Sequence, residues 1–96
     1  MNKRKDSNKH YLDDSFLLHL GNAIRDRRIS LYLSQEELGS RARLHRTYVT
    51  EVENGLRNIS MITLLRIARA LKNRPSSQII TAEKATSAEH GKNTFN

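Results

Sequence analysis

The chain has 96 residues, enough for one domain, and carries 17 Lys and Arg against 10 Asp and Glu, a formal charge of +7 that favours polyanionic partners. It has no cysteine, which excludes disulfides, thiolate metal sites and cysteine nucleophiles together. No apolar run approaches the ~18 residues that a membrane span requires, and the basic N-terminus lacks the apolar core of a secretory signal, so a cytoplasmic protein is expected.

Residues 1–12, with Lys3, Arg4, Lys5 and Lys9, are polar and charged and read as a disordered basic arm. A compact domain over 13–82 follows, and 83–96 reads as a flexible tail. Within the domain the apolar period is helical throughout. Asp13, Asp14 and Ser15 suit a helix start before Phe16, and Leu17, Leu20, Ile24 and Leu31 form one stripe behind it. Ser34 with Glu37 three residues on is a capping box, which starts a second helix at Gln35 that runs to about Ala42. A third covers Arg46 to about Glu53 and stops at Asn54-Gly55, where glycine takes the left-handed conformation without steric cost. Ser60 caps a fourth, Met61 to Leu71, with Met61, Leu64, Leu65, Ala68 and Leu71 facing inward and Arg66 and Arg69 outside that face. Pro75 suits the first turn of a short fifth helix carrying Ile79 and Ile80. Five short helices with tight connectors define an all-α bundle.

The connector between the second and third helices is about four residues, the spacing of a helix-turn-helix. Leu38, Ala42, Leu44, Val49 and Val52 would fill the angle between them, and Gly39 sits where the third helix passes close over the second.

The stretch from Leu20 to Leu71, with "LSQEEL", "RTYVTEVENG" and "RNIS…LLRIARAL", resembles the Cro/repressor-type, or XRE-like, helix-turn-helix proteins of bacteria and phages. The "RTYV" and "RNIS" pair is also similar to the controller proteins of restriction–modification systems, a subset of that class. The resemblance implies a lambda-repressor-like DNA-binding fold and a sequence-specific regulator of transcription that binds a palindromic double-stranded operator as a homodimer. By position it implies that Gln35 meets a phosphate, that Arg46 and Thr47 face base edges, and that Tyr48 and Thr50 lie beside them. It further implies that Glu51 reaches a base edge, that Arg57 and Asn58 touch phosphates, and that Arg28 and Glu53 form a buried salt bridge. The chemistry agrees. An arginine leading a helix in the major groove can donate two parallel hydrogen bonds to guanine O6 and N7. Arg43, Arg57 and the N-terminal lysines add sequence-independent affinity that falls with salt. Ile79 and Ile80 are the expected dimer contact.

Three positions depart from the family pattern. Arg43 stands where glycine often occupies the turn, His45 where a capping Ser or Asp is usual, and Tyr32 where many relatives end the first helix with glycine.

An antitoxin-like module is the alternative, its DNA binding serving autoregulation, but the tail offers only Phe95 as a large apolar anchor. His10, His19, His45 and His90 include no pair at helical i, i+4 spacing with an acid partner, so no metal or other cofactor is expected. With no nucleophile elbow or phosphate loop, a binding protein is expected rather than an enzyme. The operator, the direction of regulation and any contact with RNA polymerase are not encoded legibly in the chain.

Overall fold

A computed structural model of the chain describes the backbone of residues 3–90 and the side chains of residues 13–89. The basic side chains of residues 3–9, His10, His90 and Phe95 thus lie outside the described residues. Among the described residues five helices follow in order: α1 Lys3–Ser30, α2 Gln35–Ala42, α3 Arg46–Glu53, α4 Met61–Ala70 and α5 Pro75–His90.

The three inner helices start where expected because local caps decide them, and α4 ends at Ala70, one residue before the expected Leu71. Ser34 Oγ accepts from the Glu37 N–H at 2.9 Å while Glu37 Oε1 accepts from the Ser34 N–H at 2.8 Å. That backbone donor, followed by the Ser34 side chain, holds the Glu37 carboxyl below its ordinary range. The box is therefore complete above the usual carboxylate range and is lost only as pH falls through the lowered folded-state value. Ser60 Oγ caps α4 by accepting from the Thr63 N–H.

The two end helices differ from expectation. The backbone of residues 3–12 continues α1, where an arm was expected, and α5 passes through residues 83–90, where a tail was expected. Neither Pro nor Gly interrupts residues 3–20 or 76–90, so polar composition alone does not stop either helix. The capping signal at Asp13–Ser15 lies inside α1 and starts nothing. Ser15 is instead buried, and its hydroxyl donates to Glu89 of α5, whose Oε1 also lies 3.0 Å from His19 Nε2. Among the described side chains of α5, the small and polar Gln78, Ala82 and Thr86 are the buried ones.

The core gathers Leu20 and Ile24 of α1, Leu38 and Ala42 of α2, Val49 and Val52 of α3, Leu64 and Ile67 of α4, with Leu71 and Ala82. Each fully buried Leu or Ile contributes roughly 1.5–3 kcal/mol. In α4 the inward stripe is Leu64, Ile67, Ala68 and Leu71; Met61, expected inside, is 69% exposed. A residue at the first turn of a helix projects past the partner helices more easily than one in its middle, and periodicity alone does not register this.

Two glycines permit close approach. A Cβ on Gly39 would lie 2.5 Å from the Leu44 carbonyl oxygen, so the turn could not close over α2. A Cβ on Gly21, in the middle of α1, would lie 2.4 Å from the Val52 carbonyl oxygen, which sets how near α1 runs to the end of α3. Gly39→Ala should lower stability by about 1–3 kcal/mol through overpacking. A thermal melt would show it, and an unchanged midpoint would mean that the turn relaxes freely.

Candidate nucleic-acid interface

α2 and α3 pack against one another through Leu38, Ala42 and Val49, joined by the turn Arg43-Leu44-His45. Arg43 adopts φ 62°, ψ 46°, the left-handed region, at about 1–2 kcal/mol relative to glycine. The Leu44 N–H donates to Gly39 O at 2.8 Å, closing the end of α2. His45 replaces the usual capping hydroxyl: its Nδ1 accepts from the Thr47 N–H at 3.0 Å, which requires that nitrogen to carry no proton. The first turn of α3 is therefore capped, and it presents Arg46 and Thr47 to solvent.

The far end of α3 is anchored by a buried charge. Glu53 is fully buried, and Arg28 grips its carboxylate with two hydrogen bonds, Nε to Oε2 at 2.7 Å and Nη2 to Oε1 at 3.0 Å. Gln35 Nε2 adds a third at 3.0 Å, and Gln35 Oε1 in turn accepts from Thr50 Oγ1 at 2.8 Å. Arg28 Nη1 also donates to Leu33 O, so one guanidinium ties the end of α1 to the α1–α2 turn and to α3. The hydrogen bond to Glu53 raises the Arg28 pKa further, against the opposing effect of burial. A buried carboxylate is tolerated only with this degree of pairing. This network draws Gln35 and Thr50, expected at the DNA surface, toward the protein interior: both are half-buried and both side chains already have protein partners.

A second cluster lies on the outer side of α3. Arg57 Nε donates to Glu51 Oε1 at 2.7 Å, and the Arg57 guanidinium stands 5.0 Å from the centroid of the Tyr48 ring. Glu51, Tyr48 and Arg57 thus hold one another, with Arg57 half exposed and Tyr48 and Glu51 partly covered. Asn58 beside them and Arg43 at the turn are exposed. Among the described residues no group of three or more His, Asp or Glu could hold a metal ion, and no helix is long and apolar enough to cross a membrane.

Sequence reasoning missed two participants. Arg25 donates through Nη2 to the Glu53 carbonyl oxygen, and Arg66 of α4 donates to the carbonyls of Ala42 and Arg43. Neither contact has a local sequence signal, because the partners lie 28 and 23–24 residues away.

The sequence profile of the helix-turn-helix family matches residues 24–78, more than half of the chain. The protein belongs to that family, in its XRE-type form, and is a DNA-binding transcription regulator. Among its relatives is the control protein C.BamHI of Bacillus amyloliquefaciens, 35% identical over 65 residues that make up 67% of this chain and 80% of the relative. The control protein C.SmaI of Serratia marcescens is 49% identical over 39 residues, 41% of this chain and 46% of the relative. The crystal structure of the restriction–modification controller protein C.AhdI from Aeromonas hydrophila superposes with a TM-score of 0.64 at 39% identity, covering 65% of this chain and 94% of that one. The clp gene regulator ClgR of Corynebacterium glutamicum shares the fold, with a TM-score of 0.74 at 24% identity over 78% of this chain and 80% of that one.

Proposed function

We propose that this chain is a controller-type regulator that binds a palindromic operator as a homodimer in the cytoplasm, with α3 of each protomer in the major groove. The observation that carries the reading is the pairing of exposed Arg46 and Thr47 with a helix held at both ends. His45 and the turn fix its start, and the buried Glu53 network fixes its end. Bidentate reading of a base tolerates little angular slack, and this geometry restricts it.

In this reading Arg46 and Thr47 contact base edges. Arg43, Arg57 and Asn58 meet phosphates on either side, and Tyr48 orients Arg57 by stacking. Gln35 offers a phosphate its backbone N–H at the start of α2, while its side chain, like that of Thr50, sets the angle between the two helices. Glu51 acts chiefly by aiming Arg57. Two protomers would place their recognition helices about 34 Å apart, one turn of duplex.

Self-association has apolar surface to cover. Leu56, Met61, Ile62 and Ile80 are exposed, and a cleft of about 610 Å³ is lined by Phe16, Leu17, Ile59, Met61 and Ile79. Ile79 and Ile80 are the proposed contact, the first at this cleft and the second 48% exposed.

Arg57→Ala should weaken binding to cognate and random duplex alike and lower the slope of log affinity against log salt by about 1. Fluorescence anisotropy over a salt series measures both. A loss confined to the cognate duplex would move Arg57 from the phosphates to the bases.

A further inference from the structure

Among the described residues three other than glycine take the left-handed conformation, Tyr32 at φ 59°, Arg43 at φ 62° and Lys72 at φ 55°, and each follows the end of a helix. Each of these ends is held by an arginine. Arg28 Nη1 donates to Leu33 O just after Tyr32. Arg27 of α1 bridges two successive carbonyls at the end of α4, Nε to Leu71 O at 3.0 Å and Nη2 to Lys72 O at 3.2 Å. Arg66 of α4 makes the same fork at the end of α2, Nε to Ala42 O at 3.0 Å and Nη2 to Arg43 O at 2.7 Å. The last carbonyls of a helix have no partner within it. At α2 the Arg43 and Leu44 N–H groups satisfy the carbonyls of Ser40 and Gly39, and Arg66 satisfies those of Ala42 and Arg43.

From these contacts we infer that Arg66 is a positioning residue for DNA reading: its fork holds the turn that aims α3, and so governs sequence discrimination without touching DNA. Arg41, Arg43 and Arg66 together line a small open pocket, which could suggest an anion seat. The carbonyls at the end of α2 oppose that, since a helix C-terminus repels negative charge and draws guanidinium groups to itself. Lysine cannot replace the fork, because a single ammonium does not present two parallel donors in a fixed plane. The inference rests on the reading that α3 contacts bases, but the fork itself can be tested without DNA.

The test compares Arg66→Lys with Arg27→Lys in the full chain. Both variants keep the charge and remove one fork; only the fork of Arg66 falls on the turn of the helix-turn-helix. In the DNA-free protein, amide exchange at Leu44 and Thr47 should speed up roughly tenfold in Arg66→Lys and stay unchanged in Arg27→Lys. With a selected duplex and a random duplex as probes, Arg66→Lys should lose roughly tenfold in their affinity ratio with an unaltered salt slope, while Arg27→Lys keeps the ratio. Unchanged exchange at Leu44 and Thr47 overturns the fork's role in the turn. An unchanged ratio overturns its role in discrimination, and a salt slope lower by about 0.9 makes Arg66 a phosphate contact instead. Absence of any preference in the wild-type protein would overturn the base-reading role of α3, leaving exchange to decide on the fork.

Discussion

Glu53→Ala should lower stability by about 3–5 kcal/mol, because it leaves the Arg28 guanidinium unpaired in the place where both its bonds to the carboxylate were made. That is a large share of the roughly 5–15 kcal/mol that holds a domain of this size together. The loss exceeds that of a simple cavity, since Gln35 Nε2 also loses its acceptor and the Gln35–Thr50 contact loses its fixed end. Denaturant unfolding of the single variant and of the double variant Arg28→Met with Glu53→Leu separates the two causes. The double variant should be markedly less destabilised, because it removes both charges and keeps the volume. Equal losses in the two would show that packing around Glu53, and not its charge pairing, is what matters.

Arg46→Ala should do the reverse, leaving the melt unchanged and lowering affinity for the operator by about 1–3 kcal/mol. Arg46 is exposed on the first turn of α3, and none of the hydrogen bonds that fix the helix uses its side chain. The truncation therefore removes donors from the DNA and nothing from the core. Selection of bound sequences by the variant should show one base pair per half-site losing its preference while the others keep theirs. If affinity fell equally for every sequence, Arg46 would be bound to phosphate and the reading residue would lie elsewhere.

These two residues also mark the difference between what was legible in the chain and what was not. The ends of α2, α3 and α4 follow from Ser34 with Glu37, Asn54-Gly55 and Ser60, since a cap acts over three or four residues and its signal is local. The helix-turn-helix core was legible for the same reason, in the spacing of Leu38, Ala42, Val49 and Val52. Asp13–Ser15 misleads because a capping triplet inside a continuing helix looks the same as one at a start. Met61, expected inside, is exposed, and Ile67, not named in the expected stripe, is buried, since periodicity gives the direction of a stripe but not how far along the helix its partners extend. The inward turn of Gln35 and Thr50 depends on Glu53, a carboxylate whose unmet acceptor capacity becomes apparent only once it is buried. The Arg27 and Arg66 forks join residues 23 to 45 positions apart, so no local pattern announces them. What the sequence does show is the absence of glycine at Tyr32 and Arg43, a departure that otherwise reads only as strain, whereas Lys72 has no such signal.

The most direct measurement is selection of bound duplexes from a random library by the purified full chain at physiological ionic strength. An inverted repeat should emerge, with half-site centres about 34 Å apart and a guanine preference that disappears with Arg46→Ala. Enrichment of no sequence at all, or of a single asymmetric site indifferent to Arg46, would contradict a symmetric pair of helices reading the major groove.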